Sequence, residues 1–512
     1  MVAIKSLIEG LSLRDKAAQV IFPAYTFDAP DNDGIADLVK KGVGGLCIYR
    51  GSVFEVPGFL NGAQKSAKLP LLICSDFEDG AGEQVKGGTM LPTNMAIGAS
   101  GMEEVARFKG IVTATEARAV GVHWNFSPVV DINSNPMNPI INTRTFGDSP
   151  ELITKLAAAY MKGLTQGKML NCIKHFPGHG DVDTDSHIAL PSLAHDRSRV
   201  EGFELKPFFD LAPLADSIMT AHMLVPAYDP KYPATISKEI SYRLIREKMK
   251  YDGLVVTDAL IMAGITTVAP EEEVLILALQ AGADVLLFPQ DPWLAIDAVI
   301  NAVESKKLDP KILDIACARI LKAKEKVGLF ESRQVSASEI EKFLASPTNR
   351  KSATLIAEAS ITLVKDEQKL LPLKPGRTGY FALVDNTASD TEDQFIKHLS
   401  KHAGAVEAEE GDFDLYVVGL FIKPRAMTGR TMFDDSEVAR VMDKVKAGKK
   451  VVLVSFGNPY VIRQFPGVTT YVCAYSDCDA TQEAAARVLA GKAPFKGKLP
   501  VKIPAEFFPK LA

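Results

Sequence analysis

Three of the chain's eight histidines fall in one short stretch, KHFPGHGDVDTDSH at residues 174–187. The same stretch holds Lys174, His175, His179 and His187 together with Asp181, Asp183 and Asp185. Three readings fit such a loop. Histidines and aspartates ligate divalent ions, but Pro177 and Gly178 break the helical spacing that would set two histidines on one face, and no metal is expected. A solvated structural loop has the same composition. The third reading is proton transfer. Asp185 and His187 stand two residues apart, so a bend lets the carboxylate bind one imidazole nitrogen, fix its tautomer and turn the other nitrogen toward a substrate.

Two further strand-like runs end in carboxylates. VVTDALIM places Asp258 just after an apolar run, where it is either a helix cap or a nucleophile. LPLLICSDFEDG ends in Asp76 and Glu78, and Asp76 is suited to holding two sugar hydroxyls. His123, Asp131, Arg144 and His222 also stand at or just beyond such runs, His222 reading equally well as a core histidine.

Something must hold these groups together. The runs QVIFPAY, GGLCIY, LPLLICSD, GVHWNFSPVVDI, MLNCIKHF, SIMTAHML, GLVVTD and ADVLLFP are short and apolar, as strands buried on both faces are. Helical stretches such as EEVARFKGIVTATEARAVG and SPELITKLAAAYMKGLTQG separate them, the second with Ser149 as cap and Pro150 at its first position. This rhythm predicts an α/β fold with a (β/α)8 TIM-type barrel over residues 1–330, an open doubly wound sheet being the competing arrangement. Barrel enzymes build their sites at the C-terminal ends of the strands, where the 174–187 loop, Asp76, Glu78 and Asp258 are expected. A polar connection at 331–352 follows. Residues 353–512, with ITLVKD, YFALVD, DLYVVGLF, KKVVLVSF and TTYVCAY, predict a smaller α/β sandwich domain with a largely parallel sheet.

The bulk composition narrows the function. The 512 residues carry a net charge of -5, from 58 basic and 63 acidic side chains, which gives no electrostatic case for nucleic acid or an anionic membrane. No apolar run is long enough to cross a bilayer. Cys47, Cys74, Cys172, Cys317, Cys473 and Cys478 read as buried free thiols, and with no visible leader they predict a cytoplasmic protein. No G-x-G-x-x-G or G-x4-G-K-[ST] stands in the second domain, and no cofactor is expected.

KHFPGHG followed by Asp-Ser-His resembles the bacterial β-N-acetylglucosaminidases of glycoside hydrolase family 3, and the resemblance extends over nearly the whole chain. NTRTFG at 142–147, TDALIM, SITLVKDEQKLLPL, SFGNPY and GKLPVKIP carry it further. The resemblance implies a barrel followed by an α/β sandwich. It implies Asp258 as nucleophile, His187 paired with Asp185 as acid/base, and Asp76, Arg144, Lys174 and His175 as residues holding the terminal sugar. The chain departs from the family where DFEDGAGEQ lacks an arginine, at Val182 in place of threonine, and at Ala259 in place of a second aspartate.

The chemistry so implied is retaining cleavage of terminal β-linked GlcNAc through a glycosyl-enzyme on Asp258. The aglycone is a muropeptide, as in peptidoglycan recycling, a chitin oligosaccharide or a glycoconjugate. A phosphorylase using phosphate in place of water is the near alternative, because a neutral histidine repels an incoming phosphate less than a carboxylate does. Arg425 and Arg430, in KPRAMTGR, are either anion contacts or surface charges. A non-catalytic sugar-binding protein is the alternative from another class.

Overall fold

The computed structural model describes residues 4–29, 34–344, 346–374, 376–385, 393–424 and 426–508. The chain forms two compact units. The first comprises Met1–Thr89, Gly110–Asp131 and Ala157–Ser346, and the second Met90–Lys109, Ile132–Leu156 and Pro347–Ala512. The segments 90–109 and 132–156, inside the 1–330 span read from sequence as barrel, therefore pack with the second unit.

In the first unit the strands are short and parallel. One sheet runs Ala24–Thr26, Gly45–Tyr49, Leu72–Ser75, Trp124–Asn125. Another runs Cys172–Phe176, Ser217–Thr220, Leu254–Thr257, and a third pairs Ile21–Phe22 with Leu286–Leu287. Single parallel bridges, Trp124 to Leu170 and Val256 to Val285, link neighbouring sheets. The arrangement is TIM-barrel-like, with isolated bridges at the joins where a continuous ladder would otherwise run.

Sequence explains the strand lengths. Leu72–Ser75, Cys172–Phe176, Ser217–Thr220 and Leu254–Thr257 are buried at every position, which only strands covered on both faces allow. The run GVHWNFSPVVDI gives a strand at Trp124–Asn125 and, past Pro128, which has no N–H to donate, a single parallel bridge from Val129 to Lys174. Trp124 is fully buried and its indole N–H donates to Ser217 Oγ at 2.8 Å, so the large ring leaves no unsatisfied donor. Gly45 is required by close approach: a Cβ there would stand 1.9 Å from the Leu72 carbonyl oxygen.

The second unit holds a six-stranded sheet in the order Thr362–Asp366, Thr470–Cys473, Lys450–Ser455, Leu415–Phe421, Thr378–Val384, Val406–Glu407. The first pair is antiparallel and the rest are parallel. Alternate residues of its strands enter two apolar cores, one with Tyr416, Val418 and Leu453, the other with Val417, Val452 and Val454. Such two-faced burial marks a covered α/β layer sheet. All six cysteines are buried and none forms a disulfide. Among the described residues no helix is long and apolar enough to cross a membrane.

Candidate active site

Asp258 follows Leu254–Thr257 directly. Its N–H donates to the Thr220 carbonyl at 3.1 Å, continuing the parallel register by one residue. One carboxylate oxygen accepts from the N–H of Ala259 at 2.8 Å. The side chain so held is neither a helix cap nor an ion-pair partner among the described residues. Burial would raise its pKa, but the charges of His175, His222 and His187 outweigh that effect and hold it down to about 2. A carboxylate kept ionised is the form a nucleophile requires.

Asp185 and His187, two residues apart, are hydrogen-bonded to each other. His187 Nδ1 lies 2.7 Å from Asp185 Oδ1, which also accepts the His187 backbone N–H at 2.9 Å. Asp185 is almost wholly buried while His187 keeps 27% of its side chain exposed. The carboxylate therefore sets the tautomer with Nδ1 protonated, and Nε2 is the nitrogen turned to proton transfer.

Lys174 and His175 are held by groups from distant strands. Lys174 Nζ is 2.7 Å from Asp76 Oδ1 and 2.7 Å from Glu78 Oε1, and its side chain is 2% exposed. Burying an ammonium is costly unless it is paired, and here two carboxylates share it. Asp76 Oδ2 accepts from the Tyr49 hydroxyl at 3.0 Å. Phe77, between the two acids, is pinned by the Asn125 amide, which accepts from its N–H at 2.9 Å and donates to its carbonyl at 3.0 Å. That clamp turns Asp76 and Glu78 the same way. Asp131 does similar work for the histidines: Oδ2 is 2.7 Å from His175 Nδ1, and Oδ1 accepts the N–H of His179 at 2.6 Å. Burial opposes its ionisation, but His175 and His179 hold its pKa below the usual value. Burial pushes His179 itself down to about 4, so it is neutral at physiological pH.

The remaining candidates make these contacts. His222 is fully buried, its Nδ1 2.9 Å from Thr235 Oγ1 and its Nε2 3.0 Å from the Ala259 carbonyl. With both ring nitrogens engaged inside the protein, it braces the turn that carries Asp258 and has no nitrogen left for a sugar. His123 precedes its strand, and its Nδ1 accepts from the Ile73 N–H at 3.4 Å, placing it at the N-terminal end of the strands, away from the site. Asp183 is exposed. Arg144 lies in the second unit, in the turn Asn142–Arg144, where its Nη1 donates to the Ile140 carbonyl at 3.1 Å. Arg430 lies 3.0 Å from Asp385 and 2.5 Å from Glu437, so carboxylates already occupy its guanidinium; Arg425 falls outside the described residues. Sequence reading missed Tyr49, Asn125 and Thr235. Tyr49 alone had a signal, since it closes an apolar run as Asp76 does.

A parallel barrel-like sheet with carboxylates, a lysine and a carboxylate-bound histidine at its C-terminal rim is the layout of a carbohydrate-cleaving enzyme. Residues 12–323 match the model of the glycosyl hydrolase family 3 N-terminal domain, and the chain belongs to that family of glycoside hydrolases. A β-N-acetylglucosaminidase/β-glucosidase of Cellulomonas fimi is 28% identical over 90% of this chain and 88% of its own. β-Hexosaminidase A of Pseudoalteromonas piscicida is 29% identical over 92% of this chain and 91% of its own. Among solved structures, a family 3 β-N-acetylglucosaminidase from Paenibacillus sp. str. FPU-7 has a TM-score of 0.86 at 29% identity, covering 96% of this chain and 99% of the other. A β-glucoside phosphorylase, BglX, bound to 2FGlc has a TM-score of 0.91 at 30% identity, covering 98% and 96%.

Proposed function

We propose that this enzyme is a retaining exo-β-N-acetylglucosaminidase in which Asp258 is the nucleophile and the Asp185–His187 pair is the acid/base. The observation that carries the reading is the pairing of His187 Nδ1 with buried Asp185, beside an Asp258 whose carboxyl is held down to about 2. The names of the Cellulomonas and Paenibacillus relatives support the N-acetylglucosamine specificity.

The reaction has two displacements. Asp258 bonds to the anomeric carbon as the glycosidic bond breaks, and His187 Nε2–H gives its proton to the departing oxygen. Neutral His187 then takes a proton from water, whose oxygen bonds to the anomeric carbon and releases Asp258. Asp185 keeps the imidazole oriented and stabilises its charged form before the first step and after the second. Asp76, Arg144, Lys174 and His175 hold the terminal sugar, Asp76 still having lone pairs for hydroxyl donors beyond Lys174 and Tyr49. His222 braces the nucleophile's turn.

One observation favours a second reading. The likeness to a β-glucoside phosphorylase supports phosphate as acceptor on the same residues. Incubation with an aryl β-N-acetylglucosaminide, with and without phosphate, separates the two. Free GlcNAc at equal rates is the expected product; GlcNAc 1-phosphate formed faster with phosphate makes the enzyme a phosphorylase. Absence of turnover, or full activity after Asp258→Ala, overturns both.

A further inference from the structure

The loop carrying Asp185 and His187 leaves Phe176 through Pro177, Gly178 and Gly180, and none of residues 177–187 belongs to a helix or strand. Glycine gives it wide backbone freedom, so its position must come from tethers. At its base the His179 N–H binds Asp131, and near its tip the Gly264 N–H binds the Ser186 carbonyl at 2.9 Å. Midway, Asp181 Oδ2 meets His195 Nε2 at 2.5 Å.

This middle contact is part of a larger assembly outside the reacting groups. Arg199 Nη2 lies 4.0 Å from Asp181 Oδ2, and its Nε donates to Glu204 Oε1 at 3.1 Å. The guanidinium lies over the Phe203 ring at 3.7 Å from its centroid. Asp196 caps this segment by accepting the Arg199 N–H at 2.8 Å, and the wide π-type turn Val200–Glu204 follows. Glu204 is 3% exposed, and its Cβ stands 3.1 Å from where a Cβ on Gly178 would be. The loop thus rests on Glu204 at one point and is held by His195 at the next.

We propose that the Asp181–His195 pair, backed by Arg199 and Glu204, is a positioning latch that holds the acid/base loop in the geometry for proton transfer. The inference rests on the assignment of His187 above. Its physical basis is that a positioned acid contributes only within hydrogen-bond reach of the leaving oxygen, so a small displacement of the loop removes proton donation first. Attack by Asp258 comes from another strand and does not pass through the loop. His195, Asp181 and Glu204 offer three ligand-type atoms within 4.8 Å of one another, but the direct His195–Asp181 contact and the adjacent guanidinium make this an ion-paired cluster, its positive charge already supplied.

The test compares leaving groups. His195→Gln, Asp181→Asn and the double variant are assayed on a dinitrophenyl β-N-acetylglucosaminide, whose leaving group needs no proton, and on an unactivated disaccharide. The latch predicts a loss of about 10- to 100-fold in kcat on the disaccharide, under about threefold in kcat/KM on the dinitrophenyl substrate, and a double variant no worse than the worse single one. Tm is read beside it, and His195→Asn replaces any variant that fails to fold. Equal losses on both substrates, or none, overturn the latch while leaving the Asp258 and His187 assignments intact. Wild-type inactivity on both substrates instead overturns the function. A chelator-sensitive kcat, restored by a divalent ion and lost in Glu204→Gln, overturns the ion-pair reading in favour of a metal.

Discussion

Asp258 and His187 are carried in opposite ways. Asp258 extends a fully buried strand by one residue, its backbone still in register with Thr220 and its turn braced by His222 through the Ala259 carbonyl. His187 lies within a stretch that has no helix or strand, held by separate tethers at Asp131, His195 and Gly264. A nucleophile makes and breaks one bond along one line, which a rigid strand end serves well. An acid/base gives up a proton and takes one back from a different molecule, so its carrier must be positioned yet able to admit water or phosphate. Both side chains are half-buried, while Asp185, which orients His187, is almost sealed.

Substitutions can break this contrast. Asp258→Ala should lower kcat by about 10⁴-fold or more on every substrate, with an unchanged fold by circular dichroism. Asp185→Asn keeps the shape but stabilises the wrong tautomer, so a loss of about 10²- to 10⁴-fold in kcat/KM is expected on an unactivated substrate, with a smaller loss in kcat/KM on a dinitrophenyl leaving group. An equal loss on both leaving groups would place Asp185 in the nucleophilic step. Asn125→Ala, which unclamps Phe77, should raise KM more than it lowers kcat, by about tenfold, since Asp76 and Glu78 lose their common orientation.

The pH dependence sharpens the contrast by its sign. Asp258 is held below the ordinary value of 3.8, so its contribution to stability is present above pH 3.8 and fades as pH falls toward 2. The buried histidines act in a different pH range. Burial lowers the pKa of His123, His179 and His222, so the unfolded chain binds protons that the folded one resists, and stability is lost as pH falls below 6.5. For His179, shifted from 6.5 to about 4, the loss is roughly 3 kcal/mol by pH 4. Thermal melts from pH 7 to pH 4 should show Tm falling across that window, and His179→Gln should flatten the fall. A melt insensitive to pH in this range contradicts the account.

Local spacing alone made some of this legible. Asp185 and His187 are two residues apart, and one turn suffices to join carboxylate to imidazole. The apolar runs marked where the strands lie, because strands buried on both faces leave a clear pattern, as at Leu72–Ser75 and Leu254–Thr257. Other partners were not legible. Lys174 reaches Asp76 across 98 residues and His175 reaches Asp131 across 44, and no spacing rule selects those pairs. The Asn125 clamp on Phe77 and the sealing of His222 between Thr235 and Ala259 depend on which strands lie side by side and in what register. The sequence by itself determined the chemical types available and the rhythm of elements that bring them to one rim. Only the tertiary structure decided which acid pairs with which base, because a side chain's partner is set by the packing of strands far apart in the chain.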